Sequence, residues 1–254
     1  MGPFRRTEPR GVAALLDLVL PAECLGCGRP GRTWCRRCAL ALERLVAGGV
    51  VQVRPTPAPP GLPPVHAACD YADPVRAVIG RWKDHGRHDA APLLGPLLTA
   101  SARAAVRQGG WVGRPAILVP APSSAQSRRA RGGTPMEGLA RRVLPDPREP
   151  PDLLDPLGPL RLAPVLAHGR SVADQAGLGT AERRRNLDGA LTLRPRWHEV
   201  VTGRPVVLVD DVMTTGSTLA EAARVLRAAG ASDVVAAVVA ATRRHGTSGP
   251  RGGL

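Results

Sequence analysis

Two adjacent carboxylates, Asp210 and Asp211, stand between a short β-branched run and a turn made mostly of hydroxyl residues: Val206 to Thr218 reads V-V-L-V-D-D-V-M-T-T-G-S-T. The apolar half has the look of a parallel strand buried on both faces, and it is expected to end where the carboxylates begin. Thr218-Leu219-Ala220-Glu221 has capping-box spacing and predicts a helix start. Leu219, Ala222, Ala223, Val225, Leu226 and Ala229 then repeat at helical intervals, and Gly230 can close the helix. In an open α/β sheet, ligands bind at the carboxyl ends of strands, where such a turn lies. The backbone N–H groups of Thr214, Thr215, Gly216, Ser217 and Thr218, with the positive end of the helix dipole, suit a phosphate dianion. Each carboxylate can accept hydrogen bonds from ribose hydroxyls. The chemistry this pattern offers is the holding of a sugar phosphate; the plainer alternative is a buried strand with an acidic cap.

A second chemistry sits near the N-terminus. Cys24-x2-Cys27 is followed, after seven residues, by Cys35-x2-Cys38. Two such knuckles can place four thiolates tetrahedrally around one Zn²⁺, a structural role because every ligand position is filled. Disulfides or a redox motif are the alternatives, and a cytosolic setting disfavours stable disulfides. Gly26 and Gly28 suit the tight bends of the first knuckle, and Trp34 and Leu40 are expected in the module's small core. Cys69 is expected to pack as a small apolar residue.

The elements that must position these groups read as an α/β chain. With 254 residues and 43% hydrophobic content, it can hold one medium domain and a small module. Residues 1–52 are assigned to an N-terminal helix plus the four-cysteine module, 53–64 to a proline-rich linker, 65–242 to the main domain and 243–254 to a disordered tail. Strands are expected at 65–71, 116–120, 191–193, 206–209 and 234–241. Helices are expected from Pro74 and over 91–107, and a surface excursion over 144–164. The formal net charge of +14 points toward a polyanion, yet of 35 basic residues only Lys83 is a lysine, a bias that dilutes the argument from charge. Aromatic residues make up 2%, which argues against a row of stacking rings for single strands. No run of 18 apolar residues appears. The apolar stretch over 11–20 carries Asp17 and leads into Pro21-Ala22-Glu23-Cys24, unlike a signal-peptide cleavage site. The expected setting is the cytoplasm, with a short amphipathic helix at that stretch.

The Val206–Thr218 stretch resembles the signature of phosphoribosyltransferases that bind 5-phosphoribosyl-1-pyrophosphate (PRPP). The resemblance implies that Asp210 and Asp211 hold the 2′ and 3′ hydroxyls and that residues 214–218 hold the 5′-phosphate. With the four-cysteine module in front, the whole is similar to the ComF family (ComFC/GntX-like proteins), linked to uptake of single-stranded DNA. Tyr71, Arg76, Ile79, Trp82 and Lys83 match one block of that family. Val119, Pro120, Pro122, Ser123, Arg128, Arg131 and Gly132 match a second, and Gln175, Leu178, Arg183 and Asn186 a third. Gly133, Thr134 and Pro135 replace a usual aromatic-Asn-Gln, and Leu191 a usual Phe. The resemblance implies a class-I phosphoribosyltransferase-like parallel sheet with a small zinc-ribbon module, Mg²⁺ bound with PRPP, and Arg128, Arg129 and Arg131 beside the pyrophosphate. Arg183 would lie on a loop closing over the site. The activity implied is a Mg²⁺-dependent phosphoribosyl transfer, in competence-linked DNA uptake or nucleotide metabolism. The alternative is a non-catalytic PRPP or nucleotide sensor, or an adaptor for single-stranded DNA or a competence helicase.

Overall fold

The computed structural model describes residues 22–84, 86–122, 135–145, 155, 157–169 and 189–242. The expected helix over 11–20, Arg128, Arg129, Arg131, Arg183 and the tail 243–254 lie outside the described residues. Described strands are β1 (Val51–Val53), β2 (Val65–Asp70), β3 (Ala116–Pro120), β4 (Leu160–Leu162), β5 (Leu166–His168), β6 (Leu191–Leu193), β7 (Pro205–Met213) and β8 (Asp233–Ala241). Described helices are α1 (Arg36–Val46), α2 (Val75–Asp84), α3 (Ala91–Gly109), α4 (Pro135–Arg141), the single turn α5 (His198–Val201) and α6 (Ser217–Ala228).

Six strands form one sheet in the order β1-β2-β8-β7-β3-β4, parallel except for β1, which runs antiparallel to β2. The molecule is thus an α/β fold with a mostly parallel central sheet. Strand alternation divides the core: Val206 and Leu208 of β7 belong to one apolar cluster, Val207 and Val209 to another. Both faces are dry, which is why β3, β7 and β8 read as continuous apolar runs rather than alternating ones. α2, α3 and α4 contribute Ile79, Leu98 and Leu139 to the first cluster; α6 contributes Leu219 and Leu226 to the second.

Three expectations need correction. β7 does not stop before the carboxylates: β8 still offers partners, Val212 to Ala240 and Met213 to Ala241, so the ladder runs through both. The 144–164 excursion contains β4, whose Ala116↔Leu160 to Leu118↔Leu162 register extends the sheet. Three residues are too few to show a period. Leu40 lies exposed; Leu25 is the buried apolar residue beside the cysteines, and it joins the main core together with partly buried Trp34. Strand β6 forms as expected but pairs with β5 in a separate antiparallel ribbon.

The proline-rich segment lies against the domain. β1 pairs with β2, Leu62 is buried in the second cluster, and Arg227 Nη1 donates to the Gly61 carbonyl at 2.6 Å. Cys69 is buried as expected, its thiol pushed up to about 11 by burial and the neighbouring Asp70 charge.

Candidate functional site

The strand order fixes where a ligand can go. β7 lies between β3 and β8; the chain leaves β3 toward α4 on the face of the first cluster and leaves β7 toward α6 on the face of the second, so the connections part at the carboxyl ends of these two strands. A cavity of about 380 Å³ opens there, walled by the ends of β3 and β7, by α2 and by the start of α4. Asp210, Asp211, Thr214 and Thr218 all line it.

The turn after β7 is built tightly. Gly216 adopts φ 77°, and a Cβ there would come within 3.0 Å of Leu62 Cδ1. Glycine is therefore required twice, for the left-handed backbone and for the close approach. The Thr215 and Ser217 hydroxyls lie 3.1 Å apart, and the Ser217 N–H donates to Thr215 Oγ1 at 3.4 Å. Thr242 clamps the turn to the end of β8: its N–H donates to the Met213 carbonyl at 3.0 Å and its hydroxyl to the Thr214 carbonyl at 3.2 Å. α6 begins at Ser217, with Gly216 as its N-cap, so the capping box expected from Thr218 to Glu221 is not formed. Glu221 is engaged elsewhere: Arg224, one turn on in α6, meets it through two N–H groups at 2.7 and 2.8 Å, and the Leu191 N–H reaches it across to β6 at 3.4 Å.

The carboxylates differ in surroundings. Adjacent positions on a strand project to opposite faces, and Asp211 meets Lys83 of α2, Nζ to Oδ2 at 2.7 Å. Asp210 accepts the Asp211 N–H at 2.9 Å. Burial, reinforced by the neighbouring Asp211 charge and opposed by Lys83, pushes the Asp210 carboxyl up to about 7. The pair therefore offers one anion held by an ammonium and one carboxyl poised near neutrality. Lys83 rises above its ordinary range: burial acts downward, but Asp211 and then Asp210 outweigh it.

Tyr71 and Trp82 join this cavity, as does Met136. The site motif marks none of Tyr71, Trp82 and Lys83. The available signal is the family resemblance, one block of which takes in Tyr71, Trp82 and Lys83. The placement of Arg131 and Arg183 beside the site is outside the described residues.

The four cysteines do converge. Their Sγ atoms all lie within 4.8 Å of one another, and Cys27 and Cys35 Sγ are 3.7 Å apart. Tetrahedral metal–sulfur bonds of about 2.3 Å place sulfurs about 3.8 Å apart, so the spacing suits a metal ion and is far too long for a disulfide. Burial acts to raise the Cys24 thiol, but backbone N–H groups of Cys27, Cys35 and Gly26 lower it to about 6. Cys38 is pushed well above the usual thiol range by burial and the other sulfurs. A cation among them would reverse that last shift. The cluster is tied to the cavity wall: Arg81 of α2 donates to the Leu25 and Gly26 carbonyls, and Arg87 to that of Glu23.

Comparison with known proteins places these features in company. A family model described as a phosphoribosyl transferase domain matches residues 166–253. The chain is 30% identical over 217 residues to a protein named DNA utilization protein YhgH from Escherichia coli O157:H7, covering 83% of this chain and 85% of that one. It is 29% identical over 164 residues to competence protein F of Haemophilus influenzae, covering 65% and 66%. Over 39 residues, 15% of this chain and 14% of the other, it is 62% identical to a ribose-phosphate pyrophosphokinase of Methanosarcina acetivorans.

Proposed function

This chain belongs to the ComF family, and on that premise we propose that its cavity binds PRPP and supports transfer of the phosphoribosyl group. The observation that carries the reading is the lining of one cavity by a carboxylate pair and the hydroxyl-rich turn that opens α6. In the proposed complex the turn 214–218 holds the 5′-phosphate, with its N–H groups and the helix dipole opposing the dianion. Asp210 and Asp211 accept the ribose hydroxyls. A nucleophile forms a bond to C1 as the C1–O bond breaks, and the electron pair leaves with pyrophosphate. Catalysis is then positioning and electrostatics, with the carboxylates favouring positive charge developing on the ribose ring. Mg²⁺ bound with PRPP supplies neutralisation of the departing pyrophosphate. Two carboxylates facing one cavity are hard oxygen donors of the kind Mg²⁺ accepts.

The four-cysteine cluster is proposed to hold a structural Zn²⁺. Four soft sulfur donors within 4.8 Å of one another would fill a tetrahedral site and leave no open position for catalysis.

Titration of the full, zinc-loaded chain with PRPP and Mg²⁺ by calorimetry tests the main reading. Heat of binding is expected in the wild type and not in the Asp210→Asn/Asp211→Asn variant. Absence of binding by the wild type at millimolar ligand would overturn it. A second reading is favoured by the relatives' names: a DNA-linked role in which the cavity senses PRPP or a nucleotide without turnover, and a basic surface meets single-stranded DNA or a competence helicase. Pyrophosphate release in the presence of candidate acceptors separates the two.

A further inference from the structure

We propose that Arg81 is a positioning residue: through it the four-cysteine module sets where α2 holds Lys83 and Trp82 in the cavity wall. The coupling concerns the wall itself and is independent of the ligand the cavity takes.

The first cysteine knuckle grips α2 along its length. Pro74 precedes the helix, and a Cβ on Gly26 would come within 2.9 Å of Pro74 Cβ and 2.6 Å of Cys38 Sγ. The knuckle backbone is therefore wedged between Cys38 and the start of α2. Leu25 is buried in the same apolar cluster as Val78, Ile79 and Trp82 of that helix. Seven residues after Pro74, about 10 Å along the axis, Arg81 Nη1 donates to the Leu25 carbonyl and, at 3.1 Å, to the Gly26 carbonyl. Gly28 adopts φ 77°, and a Cβ there would lie 3.2 Å from Arg81 Nη2, so the guanidinium lies against the turn of the knuckle.

The helix carries this grip to the cavity. Successive residues turn about 100° around the axis, so Arg81 and Lys83 project to nearly opposite sides. One meets the knuckle carbonyls; the other meets Asp211, Nζ to Oδ2 at 2.7 Å. Trp82, between them, packs in the core and lines the cavity. A rigid helix passes a displacement on one side to the other. The Lys83–Asp211 pair is short and its carboxylate is buried, so a small shift of α2 lengthens a strong interaction. Arg87 donates to the Glu23 carbonyl from beyond the end of α2, and so ties the module without orienting Lys83.

Lys83 reports its own position, because it is the sole lysine of the chain and is 36% exposed. Burial acts to strip the proton from its ammonium, but Asp211 and Asp210 hold that proton on, and acylation needs the free amine. The full, zinc-loaded wild type and Arg81→Gln are acetylated without ligand, and modification of Lys83 is followed by peptide mass. In Arg81→Gln the rate is expected to rise about threefold or more, its pH profile moving down by about half a pH unit, with amide exchange of β7 and β8 unchanged. Arg76→Gln removes the same charge from the same helix, where Arg76 pairs with exposed Asp73, and should leave the rate at the wild-type value. Equal Lys83 rates in wild type and Arg81→Gln would make Arg81 a fastening of the module alone and overturn the proposal. A rise shared by Arg76→Gln, or matched by faster exchange throughout β7 and β8, would overturn it as well. Stripping the metal with a chelator is expected to raise the wild-type rate and to add much less in Arg81→Gln; an equal rise in both would route the coupling elsewhere and remove the role of Arg81. Should Arg81→Gln fail to fold, chelation of the wild type, with zinc loss confirmed, decides alone, and an unchanged Lys83 rate would overturn the coupling. PRPP enters none of these measurements, so the sugar-phosphate reading can fail without touching this one.

Discussion

Asp210 carries a consequence that pH can expose. Its carboxyl is raised from the ordinary aspartate range to about 7 in the folded protein, chiefly by burial and then by Asp211. The raised pKa means the folded state retains a proton that the unfolded chain has already released. Below about pH 4 both states are protonated and the group is silent; between about pH 4 and 7 rising pH removes stability, by at most about 1.4 kcal/mol per pH unit. Wild type is therefore expected to lose stability relative to Asp210→Asn across that window, and urea unfolding of both proteins at several pH values checks it. Parallel curves would show that the carboxyl is not perturbed. Gly216 makes a second residue-level prediction. Gly216→Ala meets both the positive φ and Leu62, and is expected to cost about 1–3 kcal/mol in denaturant unfolding. At this scale the carboxylates and the turn were legible because they are local: one strand and one helix start carry them. Lys83 was marked only by the family resemblance, and its partnership with Asp211 was not legible, since it crosses from α2 to β7 and leaves no spacing to read.

Helix α2 joins the two chemistries of the molecule. One of its residues, Arg81, donates to the Leu25 and Gly26 carbonyls beside the cysteines, while Lys83, two positions on, meets Asp211. Removing metal from the cluster with a chelator is expected to raise amide hydrogen exchange across 75–84 as well as across 24–38. Protection unchanged in α2 would show that the helix holds its place without the module. Cys35→Ser should lower bound zinc and reproduce the effect. On α6 the buried Glu221 plays a comparable part, fastening β6 through the Leu191 N–H. Glu221→Ala removes the acceptor of the Leu191 N–H and the Arg224 ion pair, with an expected loss of about 1–3 kcal/mol. Faster exchange at 189–193 would locate it. The sequence pattern announced β2, β3, β7 and β8 because buried parallel strands are continuous apolar runs. It misassigned Glu221, since the helix starts earlier than the capping motif requires and Glu221 instead meets Arg224 in the same helix and the Leu191 N–H, and it hid β4 for want of length.

Across the whole molecule, charge and topology act together. The net charge of +14 is spread through an arginine-rich chain whose cavity nonetheless centres on two carboxylates. If a basic surface meets single-stranded DNA, affinity is expected to fall with salt at a slope of about −0.7 per phosphate contacted. It should also survive in the Asp210→Asn/Asp211→Asn variant. Loss of DNA and PRPP binding together would place both ligands in one cavity. Among the described residues no helix is long and apolar enough to cross a membrane. The strand order has one more consequence. β8 is inserted between β2 and β7, and eight of its nine residues are buried. A polypeptide that stops short of Asp233 would leave those two neighbours with open, apolar edges, the kind that pair with other chains. In genetic terms, a premature stop anywhere upstream of that codon should behave as a null allele whose product aggregates, never as a partial-function allele that keeps the cysteine module and half a sheet.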